Sequence, residues 1–303
     1  MIIGFSKPEI KALRQICQRE GTQGQLAAKL QVTQGFVSQI LQKLAEKGII
    51  DIRKEGVKKI VRLSTASHAQ NFKLISDSRR DAKIENWLSG YAMDILVGIQ
   101  AGESKKQILK ETDCSRATLY KCIAALISSA VLNDKAPAEA KESQLAITEP
   151  LMNEFVISYA DNLELNALRE IKGRNLAIFR IGKHVILRTD AKEVPDYFTK
   201  TGSTALAENG LEAMLPDYYD YYYNLDKKKR EISLEESFIH ALLITSRQHK
   251  QDLTVLTIYF AKNRSRLEVR ALRGFAKQYR VNEILNEVRG KTEFYNEMKD
   301  KEL

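Results

Sequence analysis

Gly202-Ser203, followed by Asp217 and Asp220, is the residue set that would support the most demanding chemistry in this sequence. A Gly-Ser turn can seat a triphosphate, and two carboxylates can hold its metal. That chemistry needs carboxylates separated by a single residue on a strand, so that both point to one face. Here the spacing is three, Asp217-Tyr218-Tyr219-Asp220, directly after Pro216, so nucleotidyl transfer is not expected. His68, His184, His240 and His249 show no ligand spacing, and His240, on an apolar helical stretch, reads as a satisfied core residue. The sequence contains no Walker loop, GxSxG elbow or HExxH. Cys17, Cys114 and Cys122 form an odd set without a CxxC pair, which fits buried structural thiols in a reducing compartment. No metal or cofactor is expected, and the chain is not expected to be an enzyme.

A second set suits recognition rather than reaction. Gln34, Ser38, Gln39 and Gln42 fall on one outward helical face, with Gly35 allowing close backbone approach and Lys43 beside them. Amide and hydroxyl side chains can hydrogen-bond base edges. Arg53, Lys54, Lys58, Lys59 and Arg62 follow, cations that would meet phosphates and position a domain without reading sequence. Of the net charge of +9, residues 1–65 carry +7, from twelve basic and five acidic side chains. Residues 66–150 are balanced at eleven each, and residues 151–303 hold 25 against 23. A surplus concentrated in this way suggests an anionic partner. The alternative is a solvated polar face beside an unspecific basic surface.

Tyr218, Tyr219, Tyr221, Tyr222 and Tyr223, followed by Lys227-Lys228-Lys229-Arg230, could stack on a single strand. Packing or contact with a protein is the favoured reading, since Tyr is also enriched at protein interfaces. The segment therefore stands as a candidate self-contact surface.

The recognition set needs elements to hold it. Residues 8–19 read as a helix capped by Ser6, with Ile10, Leu13, Ile16 and Cys17 on one stripe. Thr22 caps a short helix carrying Leu26, Ala27 and Leu30. Gln31-Val32-Thr33 is a tight turn, and Thr33 caps a longer helix whose apolar face is Phe36, Val37, Ile40, Leu41 and Leu44. That helix ends at Lys47-Gly48. Ile49, Ile50 and Ile52 enter a strand, Glu55-Gly56 turns, and Val57, Ile60, Val61 and Leu63 return. This order is that of a winged helix-turn-helix. Thr22–Ile50 (TQGQLAAKLQVTQGFVSQILQKLAEKGII) resembles bacterial and archaeal winged-helix regulators of the MarR-like type. The resemblance implies a longer helix that enters the major groove by its N-terminal end, with Thr33, Gln34, Gly35, Ser38, Gln39, Gln42 and Lys43 at the DNA.

A shift of 82 residues aligns Thr22–Ile50 with Ser104–Leu132 (SKKQILKETDCSRATLYKCIAALISSAVL) without a gap. Core positions correspond throughout: Leu26 with Ile108, Val37 with Leu119, Leu41 with Ile123 and Leu44 with Leu126. This predicts a second helix-turn-helix, preceded by a helix over 91–101 and followed by a wing over 133–147. Its outward Arg116, Ala117, Tyr120 and Lys121 are candidate DNA contacts, although the balanced charge makes it the weaker binder. Trp87, between the motifs, is expected to be a partly buried anchor.

In the last half, residues 151–170 read as a helix with Leu163, Leu165 and Leu168. Leu176–Ile181 and His184–Leu187 read as a hairpin around Gly182-Lys183. Ser233-Leu234-Glu235-Glu236 is a capping box opening a helix with Phe238, Ile239, Leu242 and Leu243 buried. Further helical patterns cover 253–261, 267–279 and 281–288. Thr201–Leu211 (TGSTALAENGL) with Ile232–Leu243 (ISLEESFIHALL) resembles the C-terminal domain of AbiEi-type antitoxins and related archaeal winged-helix regulators. That resemblance implies a domain facing a toxin or mediating oligomerisation; the tandem helix-turn-helix departs from it, since those antitoxins usually have one.

The expected fold is mostly α with some β. It comprises a basic winged helix-turn-helix over 1–65, a connector over 66–88, a second winged helix-turn-helix over 89–150, and a mainly helical domain with a small hairpin over 151–303. The expected function is sequence-specific binding of double-stranded DNA by a homodimeric transcriptional regulator, an antitoxin in one version, with a toxin or other protein at the C-terminal domain. The alternative is an assembly protein that uses its helix-turn-helix units for contacts in a larger complex. No apolar run approaches the roughly 20 residues of a membrane span, and the N-terminus lacks a signal-peptide pattern, so a cytoplasmic location without membrane contact is expected.

Overall fold

A computed structural model describes residues 3–56, 58–135, 144–211, 218–248 and 252–301. The chain divides into two compact units, Met1–Ala167 and Leu168–Leu303. Both combine helices with small antiparallel sheets, a mostly α, mixed α+β fold.

The first unit opens with α1 (Lys7–Gln18), β1 (Gly21–Thr22), α2 (Gln23–Leu30), α3 (Gln34–Glu46), β2 (Ile50–Glu55) and β3 (Lys58–Leu63). Local chemistry sets the helix starts. The Ser6 hydroxyl accepts from the Glu9 N–H while the Glu9 carboxylate accepts from the Ser6 N–H, and Thr22 and Gln25 repeat this reciprocal arrangement. Thr33 accepts from the Phe36 N–H at 3.3 Å. Gln31, at φ 55°, turns the chain sharply out of α2. The three strands order as β1-β3-β2, with Ile50 opposite Leu63 and Glu55 opposite Lys58. Helix, strand, two helices and a hairpin, closed by the first strand pairing with the last, is the chain path of a winged helix.

After α4 (Ser67–Ser78) and α5 (Glu85–Leu88), which buries Trp87, the pattern recurs in α6 (Ala92–Gln100), α7 (Lys105–Glu111), α8 (Arg116–Ser128), β4 (Leu132–Lys135) and β5 (Gln144–Ile147). The recurrence is atomic as well as topological. Ser104 and Gln107 make the same capping box as Thr22 and Gln25, and Ser115 caps α8 as Thr33 caps α3. The Val131 N–H donates to the Leu126 carbonyl as Ile49 does to Leu44. Most of the second wing's turn, residues 136–143, lies outside the described residues.

α9 (Pro150–Leu168) departs from the expected domain boundary at 151. It belongs almost wholly to the first unit, because its apolar face is chiefly Met152, Phe155, Val156, Tyr159 and Ala160; of the expected leucines Leu168 is buried, Leu163 half-buried and Leu165 exposed. Phe155 and Tyr159 pack with Phe5 and Phe72 at ring separations of 5.2–6.3 Å. The Tyr159 hydroxyl donates to the Ile3 carbonyl at 2.7 Å, and Asn71 donates to Ser158 at 3.0 Å.

The second unit contains β6 (Asn175–Ile181), β7 (His184–Thr189), β8 (Thr199–Lys200), α10 (Gly202–Ala207), β9 (Tyr219–Asn224), α11 (Leu234–Gln248), α12 (Asp252–Lys262), α13 (Val269–Gln278) and α14 (Asn282–Lys301). The hairpin β6–β7 turns at Gly182, whose φ is 59°, but it is half of a four-stranded antiparallel sheet ordered β6-β7-β9-β8. The Tyr-rich segment supplies the inner strand β9. It is therefore not a self-contact surface: Tyr221, Tyr222 and Tyr223 are all buried. Tyr222 stacks on His240 of α11, while Tyr221 and Tyr223 meet Phe198 from the other face. Burial on both faces explains a continuous aromatic run without alternation.

Candidate nucleic-acid interface

α3 divides cleanly into two faces. Val37, Ile40, Leu41 and Leu44 are buried, and Gln34, Gly35, Ser38, Gln39, Gln42 and Lys43 are exposed, as is the cap residue Thr33. A side chain at Gly35 would meet nothing within 4 Å, so the bare backbone there answers no internal packing need. The Gln34 carbonyl accepts from Gln23 of α2 at 2.8 Å, which ties the exposed start of α3 to its neighbour. Gln42 donates to Glu46 at 3.1 Å, one turn on.

Phe36 is a correction. Hydrophobicity placed it on the apolar stripe, yet it is 42% exposed beside Gly35. It lies in the first turn of α3, whose buried face begins with Val37. Sequence reasoning thus missed an aromatic group on the polar face, and its only signal was its place in the first turn, three residues after the cap.

The opposite end of α3 is held firmly. Lys47 donates from Nζ to the Gly4 carbonyl at 2.8 Å and to Glu9 Oε2 at 3.1 Å, and lies over the Phe5 ring. Burial lowers the Lys47 pKa from its ordinary value, opposed by the Glu9 charge. Asn162 of α9 donates to the Lys47 carbonyl at 2.9 Å. This lysine is an anchor, and the recognition helix is fixed at its C-terminal end by three elements of the unit.

The wing places Arg53, Lys54 and Lys59 in solvent. Lys54 stands directly opposite Lys59 across the hairpin. Like charges in that register disfavour the hairpin itself, a cost that a bound anion would relieve. Arg62 is half-buried and pairs with Asp51 at 3.4 Å, so it is less free for phosphate than its neighbours. Lys58 is placed by its backbone, and its side chain lies outside the described residues.

On α8, Arg116, Ala117, Tyr120 and Lys121 are exposed, opposite buried Leu119, Ile123 and Leu126. The Arg116 guanidinium lies over the Tyr120 ring, 5.6 Å from its centre. Lys105 of α7 is taken up by Asp134 at 3.2 Å. The second motif thus has the same frame with fewer uncommitted cations.

The other sequence candidates resolve differently. Asp220 is fully buried, bound at both oxygens by Arg188 at 2.7 and 2.9 Å, and it accepts from the Ser203 N–H at 2.9 Å. The Gly202-Ser203 turn therefore already holds an anion, the chain's own carboxylate. Gly202, at φ 52°, is required there, since a Cβ would lie 2.6 Å from that carboxylate. Asp217 and His249 lie outside the described residues. His240 shares a 2.7 Å hydrogen bond with Thr201, and complete burial holds its pKa well below 6.5. Cys17 and Cys114 are buried and Cys122 is half-buried. Burial, with the nearby Asp77 charge, pushes the Cys17 thiol up to about 12.

No helix among the described residues is long and apolar enough to cross a membrane. No curated protein and no solved structure matches the chain. Residues 99–126, from the end of α6 through most of α8, match the family model described as the helix-turn-helix domain of resolvase. The match falls on the second copy of the repeat, whose geometry the first copy shares cap for cap. The chain carries a helix-turn-helix domain of the DNA-binding kind.

Proposed function

We propose that the chain is a sequence-specific, duplex-DNA-binding transcriptional regulator that acts by binding, without catalysis. The observation that carries this reading is α3, whose solvent face is polar or backbone apart from Phe36 and is uncovered, beside a wing with Lys54 facing Lys59. Gln34, Ser38, Gln39 and Gln42 read base edges, while Arg53, Lys54 and Lys59 neutralise phosphates. Such a domain makes few contacts, so a homodimer addressing two half-sites about 10 bp apart supplies the affinity one site in a genome requires. The MarR-like likeness supports the same arrangement. The antitoxin version, with a toxin at the second unit, rests on the likeness of the segments that form α10 and the start of α11.

Selection from random duplexes tests the reading. The native protein is expected to return a two-fold motif. Gln34→Ala with Gln39→Ala should lose base preference, each good base contact contributing about 1–3 kcal/mol of discrimination, while non-specific affinity stays near the native value. The same motif from the double variant would overturn the assignment of α3, and a monomeric mass by light scattering with an asymmetric footprint would overturn the dimer.

A further inference from the structure

The second unit hides a concentration of charge behind its overall balance. Between Lys262 and Arg280 the chain holds seven Lys and Arg residues and one acid, Glu268. α13 sorts them by face. Leu272 and Ala276, with Tyr279 just beyond, are buried, while Arg270, Arg273 and Lys277 are exposed on the opposite side. Arg264 is exposed in the turn before the helix. None of these four side chains has an ion-pair partner among the described residues. Elsewhere in the unit exposed lysines do find acids, as Lys200 does with Glu208 and Lys291 with Glu287.

Gly274 lies among these cations, four residues after Arg270, one after Arg273 and three before Lys277. It is exposed within a helix, and a Cβ there would meet nothing within 4 Å. Neither a turn nor internal packing accounts for it, and glycine weakens a helix relative to alanine. What it provides is a notch that reaches the backbone, flanked by three unpaired positive charges. The stripe from Arg270 to Lys277 is about 10 Å long at 1.5 Å per residue, a length over which B-form DNA presents about six charges.

We propose that this face of α13 is a second contact surface for the phosphodiester backbone of duplex DNA. It binds without sequence preference and is separate from both helix-turn-helix motifs. The proposal rests on the DNA-binding reading above for the choice of polyanion: a chain that presents a base-reading helix and a basic wing has duplex DNA as its ligand, and α13 adds to the phosphate contacts. Arg270 and Arg273 grip phosphate oxygens, and Gly274 lets the sugar-phosphate chain approach between them.

The full chain is titrated against a 30-bp duplex by fluorescence anisotropy between 50 and 200 mM salt, with an unrelated duplex as competitor. Arg270→Gln, Arg273→Gln and Lys277→Gln together should flatten the slope of log affinity against log salt by about 2.7, at about 0.9 per phosphate contact. Gly274→Leu separates binding from folding. It should raise the melting temperature by improving the helix, yet weaken DNA several-fold by filling the notch. An unchanged salt slope in the folded triple variant overturns the proposal. A triple variant that loses affinity for poly-glutamate while keeping the native slope on duplex also overturns it, and assigns the face to an acidic protein. If the native chain shows no preference between duplexes but the triple variant still flattens the slope, the regulator reading fails and the α13 surface stands. A native chain that binds no duplex overturns both.

Discussion

At Phe36, hydrophobicity and geometry disagree, and the disagreement has a use. If α3 reads the major groove as proposed, an exposed aromatic ring in its first turn, beside Gly35 and within one turn of Gln39, would meet a thymine methyl group, the one apolar feature of that groove. Because the residue is 42% exposed in the free protein, Phe36→Ala should cost about 1–2 kcal/mol of folding stability, below the 3–5 kcal/mol of a fully buried phenylalanine. Site selection with that variant should lose its preference for thymine at one position per half-site and keep the rest of the motif. A loss of stability in the buried range would return Phe36 to the core. The sequence marked Gln34, Ser38, Gln39 and Gln42 correctly as outward, because helical periodicity assigns faces wherever a helix has neighbours along its length. It failed at Phe36 because periodicity assigns a side of the helix and not how far its neighbours cover that side.

Among the elements, the two helix-turn-helix copies form an internal control. Gly48 and Ala130 occupy equivalent positions after α3 and α8, both left-handed, at φ 66° and 56°. Only the first copy has the residue that suits this backbone. Ala130→Gly should therefore stabilise the protein by about 0.5–1 kcal/mol, the relief of left-handed strain less the added freedom of the unfolded chain. Gly48→Ala should cost more than the mirror-image gain, since its Cβ would also press on Asn162 at 3.1 Å. Thermal melts of the two variants check the pair, and a destabilised Ala130→Gly would mean that the second copy ends its helix differently. These elements were legible because caps are local: Thr22 with Gln25 and Ser104 with Gln107 announce helices whatever packs on them. β9 was not legible, because burial from Phe198 on one face and His240 on the other removes the alternation by which a strand is read. α9 was legible as a helix, but its destination was not, since Phe155 and Tyr159 are apolar whichever domain they serve.

For the molecule as a whole, that destination decides where it can be divided. A fragment ending at residue 150 would lose Phe155 and Tyr159, leaving Phe5 and Phe72 without their packing partners and the Ile3 carbonyl without its donor. It should fail to give a cooperative melt, whereas a fragment of residues 1–168 should fold and keep the DNA affinity of the first unit. A well-folded 1–150 fragment would show that α9 is an accessory to the first unit rather than part of its core. The boundary expected at residue 151 followed the end of the second helix-turn-helix pattern; the fold follows apolar contact, which carries on through α9 to Ala167.

The hydrogen bond from Tyr159 to Ile3 spans 156 residues, and it sets a schedule for the nascent chain. At about 5–20 residues per second, a ribosome takes on the order of 10–30 s to travel from one partner to the other. The first winged helix has its caps and its own hairpin early, yet it cannot complete its core until the entire second copy has been synthesised. Throughout that interval Phe5 and Phe72 lack the aromatic partners that α9 brings them.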